Sequence, residues 1–192
     1  MLSTYNDLIE AAKSGSVVSF PTDTVPALAV DPQKTEAIYH LKQRSLNKPL
    51  ILMGASPDDL WEYVEGTPHE RASWQEMAQQ HWPGALTLVL PASTKVPPGM
   101  NPSGSGTLGI RVPDCAIAQK LLSVTGPLAT TSANRSGEPP LREAAAIVAA
   151  FPTVCVLEPE VYQNRIGSGL PSTVVQWTGG NWQILRQGAV EL

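Results

Sequence analysis

The sequence predicts an α/β domain. Apolar residues recur at helical spacing in some stretches and as short extended runs in others, and the two patterns alternate along the chain. Eighteen prolines and fifteen glycines punctuate the switches between them. With 42% hydrophobic and only 16% charged residues, a chain of 192 can bury one substantial core. No repeat, low-complexity tract or composition break divides it, so residues 1–192 are expected to form one domain.

Leu8, Ile9 and Ala12 lie behind the potential caps Ser3 and Thr4 and ahead of Gly15, which predicts a helix over about residues 5–14. Val17 to Pro21 reads as a strand. Ile38 with Leu41 places a second helix near 34–43, and Leu50-Ile51-Leu52-Met53 is a short buried strand. Ser56-Pro57-Asp58-Asp59 combines a cap, a first-turn proline and acids favoured by the helix dipole, and so predicts another helix start. A helix is expected across 69–81, then a strand at Leu86 to Leu90 and a long Pro/Gly/Ser loop over 91–106, a candidate lid. Ile110 to Val112 is extended, and Pro113-Asp114 opens a helix whose Ile117, Ala118, Leu121 and Leu122 share a face. Leu128 to Thr130 is strand-like, a helix follows at about 141–151, and Val154 to Leu157 is extended. Ser172 to Trp177 and Trp182 to Arg186, broken by Thr178-Gly179-Gly180, form the clearest hairpin.

The formal charge of −4 excludes holding nucleic acid or phosphate by bulk attraction, so any anion site must be local. Cys115 and Cys155 supply neither a disulfide scaffold nor enough ligands for a structural zinc; reduced core thiols are expected. The N-terminal residues lack a secretory pattern, and no run approaches a membrane span, which points to a cytoplasmic protein with no membrane partner. Gly104 to Gly109 matches G-x-G-x-x-G, but a loop precedes it and a strand follows, the wrong context for dinucleotide binding. His40, His69 and His81 lack metal-ligand spacing and read as solvated or capping residues; no metal site is expected. The five tryptophans are scattered, which suits packing better than base stacking.

Lys42-Gln43-Arg44-Ser45-Leu46-Asn47-Lys48 gathers three of the thirteen cations directly before a buried strand. It fits a phosphate, although charge runs are more often solvated faces. Thr130 to Gly137 places hydroxyls, an amide and a glycine at a strand end, where ligands sit in open α/β sheets, and Pro21-Thr22-Asp23-Thr24 does the same after the first strand.

Together these segments resemble the YrdC-like family of threonylcarbamoyl-AMP synthases, which act in making the threonylcarbamoyl adenosine of tRNA. The resemblance covers nearly the whole chain: Pro21-Thr22-Asp23-Thr24, Lys42-x-Arg44-x3-Lys48-Pro49-Leu50, Trp82-Pro83-Gly84, Gly109 to Pro113, Ser132-Ala133-Asn134-x-Ser136-Gly137, Ser172 to Val175 and Ile184-Leu185-Arg186-x-Gly188. It implies a twisted, open, mixed α/β sheet with flanking helices around a basic concave cleft, in the one-domain form that lacks the extra C-terminal domain of some relatives. The implied reaction joins L-threonine, bicarbonate and ATP, with Mg2+ accompanying the nucleotide. By resemblance Lys42 and Arg44 would be catalytic and, with Lys48, would face the phosphates; Thr107, Asn134 and Arg186 would also meet the ATP. Arg111, Ser132 and Ser172, with Thr22 or Thr24, would hold the threonine, an arginine fork suiting its carboxylate and hydroxyls its ammonium and side chain. Positioning and electrostatic stabilisation, with no covalent nucleophile, would carry the catalysis. Asp23 is the motif carboxylate that could assist magnesium.

The chain departs from the family at three places. Pro26-Ala27 stands where Tyr-Gly is usual, Met53 where a histidine is frequent, and Arg142 where a small hydroxyl residue is usual. The methionine is similar to the YciO-like branch. A second reading is therefore a paralogue that binds tRNA or double-stranded RNA and nucleotide without synthesis; a third is a related carbamoyl-type or hydrolytic enzyme. For the synthase, a downstream threonylcarbamoyl-transferase is an expected partner.

Overall fold

The computed structural model describes residues 1–163 and 167–192. Its elements run β1 (Leu2–Ser3), α1 (Tyr5–Lys13), β2 (Val18–Phe20), β3 (Ala27–Val30), α2 (Glu36–Lys42), β4 (Ile51–Met53), α3 (Pro68–His81), β5 (Leu86–Pro91), β6 (Thr107–Arg111), α4 (Ala116–Thr125), β7 (Leu128–Ser132), α5 (Ala144–Ala150), β8 (Cys155–Leu157), β9 (Thr173–Trp177) and β10 (Trp182–Arg186). The strands form a single open sheet in the order β1-β8-β2-β3-β7-β4-β6-β5-β9-β10. It is mixed: β2 lies parallel to β8, β4 to β6 and β5 to β9, whereas β3, β7 and β10 pair antiparallel with their neighbours. The α/β expectation and the terminal hairpin both hold.

Local chemistry explains the helix ends. The Thr4 side chain caps α1 by accepting from the Asp7 N–H, and Thr67 and Glu70 form a reciprocal capping box at α3, with Pro68 at the first helical position. Gln43, in the left-handed conformation at φ 51°, closes α2 and turns the chain sharply. Both sheet faces are covered, as the period of two along β3 requires. Ala27 and Ala29 face α1 and α4 through Leu8, Ile9, Leu121 and Leu122; Leu28 and Val30 face α2, α3 and α5 through Ile38, Trp74 and Ile147. Each Leu, Ile or Val among these contributes about 1.5–3 kcal/mol on full burial.

Three expectations change, and one strand, β3, is not anticipated by the sequence. Ser56 opens only two 3-10 turns, Pro57–Asp59 and Trp61–Tyr63, because the chain then joins the sheet margin, where Val64 bridges Ala92. The helix expected from residue 141 begins at Ala144, since Leu141 is held by its N–H to the Ala133 carbonyl at 2.8 Å. β3 has no alternation to betray it, for all four of its residues are buried. The 91–106 segment is anchored rather than free: Met100 is fully buried, its carbonyl accepts from Leu50 N–H at 3.0 Å, and Lys95 pairs with Glu62 at 2.7 Å.

The tryptophans pack as expected, Trp74 edge-on to Trp177, Trp177 to Trp182 and Trp61 tilted against Trp82. Both cysteines are free thiols. No helix among the described residues is long and apolar enough to cross a membrane.

Candidate active site

Strand register assembles the floor of the site. Ala27 pairs with Ser132, Ile51 with Thr130 and Met53 with Arg111, so these side chains share one face of the sheet. β6 runs opposite to β7, so Arg111 and Ser132 lie at opposite ends of that face. The site therefore extends along the sheet instead of sitting only at strand ends. Above the floor is a cavity of about 340 Å³. Thr22, Thr24, Arg44, Arg111, Ser132, Asn134, Ser172 and Arg186 line it, which brings together most of the residues singled out in the sequence.

Lys42, Lys48 and Thr107 are not in the lining. Lys42 is 1% exposed and stands behind the wall, where its ammonium donates to the Ser132 carbonyl and to Asn134 Oδ1. Lys48 is exposed, and its backbone carbonyl accepts from Tyr39 and from Arg44 Nε. Thr107 is tied into the preceding turn through Ser105 and Asn101.

Three guanidiniums, Arg44, Arg111 and Arg186, face the cavity against one carboxylate side chain, Glu138. Each is held by the protein. Arg44 donates to the carbonyls of Lys48 and Pro49, both at 2.9 Å. Arg186 donates through Nε and Nη2 to the Ser172 carbonyl and through Nη2 to the Ser172 hydroxyl. Arg111 donates to Gly84 O at 3.0 Å, Thr24 Oγ1 at 3.0 Å and Asp23 Oδ1 at 2.6 Å. Burial lowers the pKa of Arg111, opposed by the Asp23 carboxylate, and burial together with the Arg111 charge lowers that of Arg186. An anion entering beside Arg186 would offset the repulsion from Arg111.

Asn134 has no hydrogen-bonding capacity to spare. Its Oδ1 accepts from Ser132 Oγ and Lys42, and its Nδ2 donates to the carbonyls of Arg135 and Glu138 at 2.8 and 2.7 Å. As found it braces Ser132 and Lys42. Burial, and then the charges of Arg44 and Lys48, lower the Lys42 pKa from the usual 10.5 to about 7. Below pH 7 folded and unfolded chains both carry this proton, and the folded state bears the full cost of a buried ammonium. Between pH 7 and 10.5 the unfolded chain binds more protons, so stability climbs with pH. The urea midpoint is accordingly expected to rise from pH 7 to pH 9.5 relative to that of Lys42→Gln; parallel midpoints would contradict this.

Sequence reasoning missed three parts of the site. The Gly84 carbonyl, from the recognised Trp82-Pro83-Gly84, orients Arg111. Residues 167–171 form a strap whose Ser168 and Gly169 N–H groups donate to the Asp23 and Thr24 carbonyls, both at 2.9 Å. Val25, Pro26, Ala27, Ile51 and Met53 give the cavity an apolar side. The motif supplied a signal for the first of these; the strap had none.

A family model named for Sua5, YciO and YrdC, described as telomere recombination, matches residues 10–188. A threonylcarbamoyl-AMP synthase of Vibrio campbellii is 35% identical over 146 residues, covering 72% of this chain and 76% of the relative. The crystal structure of Pyrococcus abyssi Sua5 complexed with L-threonine superposes with a TM-score of 0.83 at 32% identity, covering 96% of this chain and 54% of that one. This chain thus spans about half the length of the Pyrococcus protein. Escherichia coli YciO superposes with a TM-score of 0.82 at 24% identity, covering 97% of this chain and 90% of that chain, a likeness of fold.

Proposed function

From the premise that the chain belongs to the Sua5/YciO/YrdC family, we propose that it is an L-threonylcarbamoyladenylate synthase, joining L-threonine, bicarbonate and ATP. The observation that carries this reading is the meeting of Arg44, Arg111 and Arg186, from three separate stretches of chain, around one cavity. An acidic protein gathers three fixed cations there for a ligand that brings several negative charges. Arg44, whose Nη1 is free of protein partners among the described residues and which keeps one N–H on Nη2, suits the triphosphate. Arg111, at the other end of the sheet face, suits the carboxylate of the amino acid. Arg186, held by Ser172 and under the electrostatic influence of Arg111, is the third cation offered to the ligand.

The threonine amine bonds to the carbon of bicarbonate with loss of water, and a carbamate oxygen then attacks the α-phosphorus. The bond to the β-phosphate oxygen breaks and pyrophosphate leaves. No step requires a covalent enzyme intermediate. Arg186 and Arg44 stabilise charge as it moves onto the leaving group, and their own backbone contacts hold them in place beforehand. Magnesium would accompany the nucleotide and shield its phosphate charge. The Asp23 carboxylate, which the sequence offered to the metal, is engaged by Arg111.

The adenylate passes to a threonylcarbamoyl-transferase acting on tRNA, and the cytoplasm, which holds these substrates, is the expected setting. Pyrophosphate release should require both L-threonine and bicarbonate. Release indifferent to threonine would overturn the synthase. RNA affinity that falls steeply with salt, with no nucleotide turnover, would instead favour the RNA-binding reading.

A further inference from the structure

The loop between β2 and β3 contains a hydrogen-bond relay whose direction is fixed by counting protons. Thr22 Oγ1 donates to the Val25 carbonyl at 2.7 Å, and a carbonyl can only accept, so the single hydroxyl proton of Thr22 is committed. The 3.0 Å contact between the two threonine hydroxyls must then run from Thr24 to Thr22. Thr22 also accepts from the Thr24 N–H at 3.2 Å, which fills both of its lone pairs. Thr24 Oγ1 in turn accepts from Arg111 Nη1 at 3.0 Å. The relay therefore runs from Arg111 through Thr24 and Thr22 to the Val25 carbonyl.

This inventory leaves little for a ligand to use. Thr22, although it lines the cavity, has nothing left to donate or accept. Thr24 has spent its proton and keeps one lone pair. Arg111 has given Nε to Gly84, one Nη1 proton to Thr24 and one Nη2 proton to Asp23, so one N–H remains on each terminal nitrogen. The subsite thus offers paired donors beside a lone acceptor. An α-amino acid brings the matching groups, a carboxylate for the two donors and an amine N–H for the acceptor. Polarity matters for the chemistry as well. An amine that donates to Thr24 keeps its nitrogen lone pair free to attack carbon, whereas a Thr24 hydroxyl turned to donate would occupy that lone pair.

We propose that Thr22 and Asp23 are positioning residues of the amino-acid subsite: Thr22 holds the Thr24 hydroxyl as an acceptor, and Asp23 with the Gly84 carbonyl aims the two free donors of Arg111. This rests on the reading that Arg111 receives the carboxylate. Neither residue need touch the substrate.

The test compares Thr22→Val, Thr22→Ser, Asp23→Asn and Arg111→Lys. It uses calorimetric titration of L-threonine, titration of a nonhydrolysable ATP analogue, and threonine-dependent pyrophosphate release. Thr22→Val frees the Thr24 proton and is expected to lower kcat by about tenfold or more, with nucleotide affinity unchanged. Thr22→Ser keeps the relay and should restore the rate. Asp23→Asn should weaken L-threonine by about tenfold and leave the analogue untouched. If Asp23→Asn does not fold, the Thr22 pair decides. A serine variant as slow as the valine variant, or a Thr22→Val that loses nucleotide and threonine affinity together, would overturn the proposal. Arg111→Lys separates the two levels. Unchanged L-threonine affinity in that variant would remove the carboxylate reading and this proposal with it. Weakened affinity there, with silent Thr22→Val and Asp23→Asn, would remove this proposal alone.

Discussion

Arg111→Ala should lose about 3–5 kcal/mol of stability and all threonine-dependent pyrophosphate release. The Arg111 and Asp23 side chains are only 5% and 14% exposed, so removing the guanidinium strands a carboxylate with little water to replace its partner. The Gly84 carbonyl and the Thr24 hydroxyl lose their donor at the same time. In a chain of this size that loss corresponds to a melting shift on the order of 10 °C. The double variant Arg111→Met with Asp23→Leu removes both charges and should recover most of the stability, because a buried pair stabilises little relative to an apolar substitute. It should recover none of the activity. Urea denaturation and the pyrophosphate assay read the two effects separately. An Arg111→Ala that melts with the parent would mean that water already reaches this pair.

Gly167→Ala is expected to cost about 1–3 kcal/mol and to weaken L-threonine binding while sparing the nucleotide. A Cβ at residue 167 would lie 2.4 Å from the Thr22 carbonyl oxygen, 2.5 Å from the Asp23 carbonyl carbon and 2.6 Å from the Thr24 nitrogen. All three are backbone atoms and cannot swing aside. The strap must lift, and the Ser168 and Gly169 hydrogen bonds to the 23–24 backbone lengthen with it. Arg142 reinforces the strap by donating to the Gly167 carbonyl at 3.3 Å and lying against Gly169, a structural use for the cation that replaces the hydroxyl residue usual at that position. Gly180→Ala, at a position with nothing within 4 Å, serves as the control and should change neither property. Calorimetric titration of both ligands into the two variants makes the comparison. Equal affinities would show that the strap does not hold the loop.

Several elements could be read directly because a local signal dominates each. α1 and α3 carry caps at their first turns, and the β9–β10 hairpin turns at Gly179 with φ +86°. β3 was hidden because burial on both faces erases the alternation that marks a strand. The start of α5 was hidden because a distant carbonyl, that of Ala133, holds Leu141 out of the helix. Neither fact is encoded within a window of neighbouring residues.

The candidate site divides in the same way. Residue types and motif spacing were enough to select the hydroxyl turns at Thr22 and Ser132 and the cations Arg44, Arg111 and Arg186, since each motif is continuous in the chain. Which of them retain hydrogen-bonding capacity is a matter of partners remote in sequence. Asn134 looked like a ligand residue and is saturated by Lys42, Ser132 and two carbonyls. Asp23 looked available to a metal and is held by an arginine 88 positions away. Composition and motif order by themselves determined the α/β class and the family. Tertiary structure alone decided the polarity of the Thr22, Thr24 and Ser132 hydroxyls, the orientation of each guanidinium and the placement of Lys48 and Thr107 outside the cavity lining. The physical reason is that a donor or acceptor is defined by what already occupies it, and the folded chain supplies those occupants from segments that share no local pattern.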